Sequence, residues 1–409
     1  MASVPPAAEA AQPTNLAPLP RLFAYAQGLG LERVLARPKR GIPTLVLALL
    51  WLRLAWRGSG RPERVAALGE PFLAALLGLR RLPDARTLQR SLTCFPARAV
   101  RAAVEAAYRA ELGRRTGRVW VAVDAHQVPY WGRGQPDAFQ KGWSGMHGRR
   151  LRGYRLFLAV DADTGQVVTF LLARGGAVDH RLLALLARRC RAVLGRRLAG
   201  VVADCGFTSR PAVAALLASG VPFILGFSRS APIKARLAAL SAQQRRWLRA
   251  GGAIRLGACP WDARLRLFAI GARTPGDARG PWVYVTSLRS VGPQALARAY
   301  RRRWRAEQAI EELLNGHDLD HLVAYRLHPN RVAIGFRLLA RNLALGHQIA
   351  DAGVRPAVLR EPAAFRATHV DGLGTFTRQR RTIRVRPLRE PMPGPLRLPW
   401  TRRVVRPAA

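Results

Sequence analysis

Acidic residues are scarce in this chain of 409 residues: 24 Asp and Glu stand against 67 Lys and Arg, for a formal charge of +43. Such a chain repels itself unless a polyanion screens it, so nucleic acid is the first partner to consider. Lysine is almost absent, occurring only at Lys39, Lys141 and Lys234. The preference for Arg fits a GC-rich coding sequence and says little about chemistry; the excess of one sign says more. Cysteine is limited to Cys94, Cys190, Cys205 and Cys259. No two form a CxxC pair, which argues against a zinc ribbon or a secreted disulfide framework and fits a reducing cytosol. The N-terminal residues lack the basic-then-apolar order of a signal peptide. The most apolar run, Thr44 to Trp56, carries Arg53 and is too short to span a bilayer. The expectation is a soluble, cytoplasmic protein without a membrane partner.

What is present divides by texture. Residues 1–20 are rich in Pro and Ala and read as a flexible tail. Residues 21–115 carry apolar positions at three- and four-residue spacing between short Gly, Pro and Arg segments, which predicts a helical domain. An Arg-rich helical domain suits DNA binding, with a helix-turn-helix as one form, and equally suits a packing domain with a solvated basic surface. From Arg118 the pattern changes. Val119–Val123, Tyr154–Val160, Val167–Leu172, Leu198–Ala203 and Pro222–Phe227 read as strands, with helices at His180–Leu194 and Arg210–Ser219. Residues 229–290 mix a basic helical piece with strand candidates and read as an insertion. A helix from Tyr300 to Leu314 follows. The catalytic-type domain is thus expected over 116–350, and residues 351–409 as a basic C-terminal arm. From Arg355 onward that arm holds 13 Arg against three acids.

Two of the buried strands end in an aspartate, Asp124 and Asp204. On the late helix, Tyr300, Arg303 and Glu307 share a face at about 100° per residue. Alone, that face reads as a solvated ion pair. The order of three strands, helix, strand, helix, strand and late helix matches an RNase H-like layout, which brings the first strand, the fourth strand and the late helix together. Three clustered acids need a cation, because unneutralised like charges repel. Magnesium is the natural hard cation for oxygen ligands, and two such ions about 3.5–4 Å apart suit phosphodiester chemistry.

These residues resemble a family. Tyr300, Arg303 and Glu307 match the Tyr-x2-Arg-x3-Glu signature of DDE transposases of bacterial insertion sequences. VAVDAHQVPYWG resembles the first-aspartate motif of one branch, and DCGF at 204–207 resembles the second. The resemblance implies an α/β, RNase H-like mixed sheet flanked by helices, with a helical N-terminal domain and a partly β insertion before the last catalytic helix. It implies that Asp124, Asp204 and Glu307 hold two magnesium ions, with manganese as an alternative. It also implies that Tyr300 and Arg303 contact DNA phosphates, that Trp282 stacks on a flipped base, and that Lys141 lies near DNA. For Trp282 the competing reading is a buried core side chain. The implied activity is cleavage at transposon ends and transfer of the 3′-hydroxyl into target DNA, by a dimer on double-stranded DNA. The protein would be bacterial and nucleoid-associated when bound.

The chain departs from the pattern at Leu314, where the signature has Lys, and at Cys205, where relatives carry Arg. Other tempting residues have plainer readings: His317 and His321 at a helix end, Glu311 as an Arg partner, Asp161 and Asp163 capping a turn. His126, two residues after Asp124, shares its strand face. The rival functions are an RNase H-like nuclease without strand transfer and a non-catalytic DNA-binding derivative.

Overall fold

The computed structural model describes residues 11–35, 41–68, 71–132, 140–271, 281–352, 361–379, 382–388, 395–397 and 404–407. The first ten residues of the expected tail, and parts of the insertion and of the C-terminal arm, lie outside them. From the N-terminus come β1 (Gln12–Thr14), α1 (Leu19–Gly28), α2 (Leu31–Leu35), α3 (Thr44–Trp56), α4 (Pro71–Leu76), α5 (Ala85–Ser91) and α6 (Ala97–Gly113). Next are β2 (Val119–Pro129), β3 (Gln140–Ser144), β4 (Arg149–Asp161), β5 (Val167–Arg174), α7 (Asp179–Leu194), β6 (Leu198–Ala203), α8 (Arg210–Ser219) and β7 (Phe223–Phe227). Then follow α9 (Ala231–Ala238), α10 (Ala242–Arg249), β8 (Ala253–Cys259), β9 (Asp262–Ile270), β10 (Trp282–Thr286), α11 (Pro293–Arg301) and α12 (Trp304–His317). The chain closes with α13 (Leu327–Ala352), α14 (Pro362–His369), β11 (Gly374–Gln379), β12 (Thr382–Pro387), β13 (Leu396–Arg397) and β14 (Val404–Pro407).

Two compact units result: residues 1–114, 128–138 and 311–409 in one, and residues 115–127 and 139–310 in the other. The first is built on α3, α6 and α13, which pack together. Almost every residue of α3 is buried, Arg53 included, and Arg53 Nη2 meets Asp371 at 2.7 Å. Burying that guanidinium is tolerable only because the carboxylate pairs with it. Asp84 caps α5, accepting from Thr87 N at 2.7 Å. Strands β1, β11, β12, β14 and β13 form a sheet in that order. Part of the expected tail and arm is therefore paired strand.

The second unit is organised by a nine-stranded sheet in the order β3-β4-β2-β6-β7-β10-β9-β8, with β5 beside β4. The pairs β2–β6 and β6–β7 are parallel. Strands β6 and β7 are continuous apolar runs, LAGVVA and FILGF, as parallel strands covered on both faces must be. Strands β8 to β10, in the expected insertion, continue the same sheet, because β10 pairs antiparallel with β7.

Three local expectations need correction. Strand β2 does not stop at Asp124 but runs on to Pro129. Its ladder with β6 covers only Val119–Val123, yet the 13-residue β4 flanks its other edge and keeps it extended. Strand β3 lies between the expected strands Val119–Val123 and Tyr154–Val160, where none was expected, held by hairpin pairing to the start of β4. The helix over 300–314 is two helices. Arg302 N donates to Ala299 O at 3.3 Å and Arg303 N to Tyr300 O at 2.8 Å, a tightened end that closes α11 before α12 begins at Trp304.

Candidate active site

The β2–β6 register sets the first two carboxylates. Val123 pairs with Ala203, so Asp124 and Asp204 each stand one residue beyond the last rung of neighbouring parallel strands. Neighbouring strands lie about 4.8 Å apart, which makes the two aspartates adjacent. Asp124 Oδ1 accepts from Ala125 N at 2.8 Å. Asp204 caps the short turn Cys205–Phe207, accepting from Gly206 N at 3.0 Å. Phe207 anchors that turn edge-to-face on Phe157, and Thr208 Oγ1 donates to Gly226 O at 2.6 Å. A Cβ on Gly226 would lie 2.6 Å from Cys205 N, so glycine there lets β7 approach the aspartate turn closely.

The α11–α12 junction supplies the rest. Arg303 pairs through Nη2 with Glu307, and its Nη1 lies 3.6 Å from Asp124 Oδ2. Tyr300 rests against Tyr284 with ring centroids 4.0 Å apart. Although the helix is broken, Tyr300, Arg303 and Glu307 still meet, because Arg303 sits in the turn between them. The ion pair of the plainer reading is present, and it reaches Asp124 on the sheet as well.

Burial dominates the electrostatics of the site. Burial, joined by repulsion from Asp204 and Glu307 and opposed by Arg303, pushes Asp124 up to about 6. Burial also raises Asp204, again opposed by Arg303, with Asp179 adding to the rise. Burial pushes the Tyr300 phenol up to about 12, against the pull of Arg303.

A cavity of about 620 Å³ opens beside these groups, lined by Asp204, Trp282, Tyr284, Tyr300, Arg303 and Trp304 among others. Trp282 is 37% exposed on this lining, at the edge of β10, and is not a buried core side chain. Lys141 is exposed on β3 and does not line the cavity. His126 is 8% exposed. His317 is buried, donates from Nδ1 to Ala55 O at 3.0 Å, and is pushed down to about 3 by burial and then by Arg341. That position suits a neutral structural histidine. Asp161 accepts from Asp163 N and Thr164 N at 2.8 and 3.1 Å, the turn cap its position suggested.

Two residues near the site went unread in the sequence. Asp179, first in α7, lies close to Gly206 and acts on Asp204. It is gripped by Arg155, Nε at 3.0 Å and Nη2 at 2.6 Å. An aspartate at a helix start reads from sequence only as a favourable partner of the helix dipole.

The donor chemistry of Asp124, Asp204 and Glu307, all carboxylate oxygens, fits a hard divalent cation. Among the described residues no three His, Cys, Asp or Glu side chains converge tightly enough to enclose an ion. Glu307 is turned to Arg303, and its side chain is 52% exposed.

The Transposase DDE domain family matches residues 115–343, more than half of the chain and both aspartates with Glu307. No curated protein matches. A cryo-EM structure of a piggyBac transposase synaptic complex with hairpin DNA has a TM-score of 0.45 and 13% identity, covering 87% of this chain and 81% of that one. A likeness at that level adds nothing to the assignment. Among the described residues no helix is long and apolar enough to cross a membrane. With more than half its length matched, the chain belongs to the transposase DDE domain family: it is a DNA transposase, an enzyme of metal-dependent DNA cleavage and strand transfer.

Proposed function

We propose that Asp124, Asp204 and Glu307 are the carboxylates that hold the divalent ions, two magnesium ions with manganese as a substitute. The observation that carries this reading is the pairing of Val123 with Ala203, which sets Asp124 beside Asp204, together with Arg303 bridging from Asp124 to Glu307. When bound, the ions supply positive charge at the attacking and leaving oxygens of an in-line displacement. The protein's own part is positional. Asp124 and Asp204 are fixed by strand ladders and by the Cys205–Phe207 turn, and Glu307 approaches from the first turn of α12. Arg303 balances the carboxylates in the resting protein. Its guanidinium would grip a DNA phosphate with two parallel hydrogen bonds. Tyr300, held by Tyr284, presents its phenol to the same backbone. Trp282, exposed on the cavity lining, stacks on a base displaced from the duplex, and Lys141 contacts DNA from the β3–β4 hairpin.

In this reading the catalytic domain is RNase H-like and belongs to the bacterial insertion-sequence group with the Tyr-x2-Arg-x3-Glu signature. The enzyme cuts double-stranded DNA at the ends of its element and joins each freed 3′-hydroxyl to target DNA. Two ends must be processed together, which favours a dimer in the active complex. The helical N-terminal region, the insertion and the C-terminal arm grip the ends through phosphates, so affinity falls steeply with salt. Strand transfer separates this function from a plain nuclease. A duplex bearing a free 3′-hydroxyl at a terminal inverted repeat should be joined to a plasmid in the presence of magnesium. Cleavage without any joined product would favour the nuclease, and neither reaction would favour a non-catalytic derivative.

A further inference from the structure

The β3–β4 hairpin carries a charge pattern that the carboxylate site does not explain. Residues 140–153 contain Lys141, Arg149, Arg150 and Arg152 and no acid. The register pairs Lys141 with Arg152 and Trp143 with Arg150. Directly paired residues of an antiparallel ladder share a face, so these four side chains stand together on one side of the ribbon. Burial agrees. Lys141, Trp143 and Arg150 are exposed and Arg152 is partly so, whereas Gly142 and Ser144 on the opposite face are buried. Trp143 is 57% exposed, an indole displayed between Lys141 and Arg150.

The ribbon is also held in place before any partner arrives. Arg155, itself forked onto Asp179, donates from Nη1 to Trp143 O at 2.8 Å. Gln127 Nε2 donates to Leu151 O at 3.0 Å, and Gly175 N to Gly153 O at 3.1 Å. Ser144 Oγ and His147 Nδ1 meet at 2.9 Å within the turn, where Gly148 takes φ +58°. A fixed surface loses little conformational freedom on binding.

We propose that this hairpin is a DNA-binding ribbon that enters the major groove of duplex DNA, with Lys141, Arg150 and Arg152 on phosphates and Trp143 against base edges. A two-stranded ribbon fits the roughly 12 Å width of that groove. The proposal deepens the assignment of Lys141 to DNA and extends it to a four-residue face. Because β2 carries both Asp124 and Gln127, the strand that presents the carboxylate also steadies the hairpin.

The test is fluorescence anisotropy with a labelled duplex in EDTA, where divalent ions play no part. Failure here therefore leaves the roles of Asp124, Asp204 and Glu307 untouched. The combined variant K141Q/R150Q/R152Q should lower the slope of log affinity against log salt by about 2.7, at about 0.9 for each phosphate that is no longer neutralised. W143A should weaken duplex binding several-fold, and W143F should restore most of it. Circular dichroism confirms that each variant is folded. An unchanged salt slope in the triple variant overturns the proposal. So does a W143A defect confined to single-stranded DNA of the same sequence.

Discussion

Removing a charge from the carboxylate cluster should make the metal-free protein more stable while ending its activity. Asp124 has an ordinary value of 3.8 and is pushed up to about 6 in the fold, chiefly by burial. The folded state thus binds more protons than the unfolded chain between those values, and stability falls as pH rises from 3.8 to about 6. Above that window the cost is complete. At 1.36 kcal/mol per pH unit it amounts to about 3 kcal/mol, an upper bound that local relaxation will reduce. Asp124→Asn keeps the shape and the hydrogen bond from Ala125 N can persist through the amide oxygen, while the buried negative charge is gone. Arg303 loses one partner but keeps Glu307, so part of the gain is offset. The assay is urea unfolding in EDTA at pH 8 and at pH 4. The variant should be the more stable at pH 8, by about 1–3 kcal/mol, and the advantage should shrink to under about 1 kcal/mol at pH 4, where the folded wild type is protonated at this position. Added manganese should then stabilise the wild type and leave the variant unchanged, since binding to the folded state alone raises stability. A variant that is equally stable or less stable at pH 8 would refute the reasoning, because the carboxylate would then not be strained by its surroundings.

Other consequences can be checked singly. Gly226→Ala would place a Cβ against the Cys205 backbone; it should cost about 1–3 kcal/mol in urea unfolding. Displacing Asp204 on the ångström scale should cut DNA cleavage by about 100-fold, and wild-type cleavage rates would contradict the account of the turn. His317, pushed down to about 3 in the fold, is protonated first in the unfolded chain, so its contribution is lost as pH falls below about 6.5. Between pH 6.5 and 5 the wild type should lose about 2 kcal/mol more than His317→Gln, measured by urea midpoints; parallel pH profiles would show that His317 is not buried neutral.

The parts of the site legible in the sequence are those encoded locally. An apolar β-branched run followed by an acid found the two aspartates, and helical spacing grouped Tyr300, Arg303 and Glu307. Those groupings survive even where the elements differ, because the Arg303 turn preserves the neighbours that an unbroken helix would have made. What the sequence hid depends on partners far along the chain. Strand β2 continues past Asp124 because β4 lies beside it, and nothing in AHQVP announces that neighbour. Strand β3 is polar and glycine-containing, so pairing and not burial makes it a strand. The break after Arg301 is invisible to propensity, since Arg and Trp are acceptable in a helix interior. Asp179 is hidden for a different reason: its sequence role at a helix start is complete without any site. Trp282 went the other way, its apolar strand context suggesting the core while its place at the end of β10 leaves it exposed.

The central claim is that Asp124, Asp204 and Glu307 act together on the scissile phosphate. Its most direct test is metal-dependent cleavage of a duplex carrying the element's terminal sequence, comparing wild type with D124N, D204N and E307Q, with DNA binding measured in parallel. Each single variant should lose cleavage by about 1,000-fold or more, as groups acting as a unit do, while keeping affinity for the duplex. Cleavage at the wild-type rate in any one of the three would contradict the account.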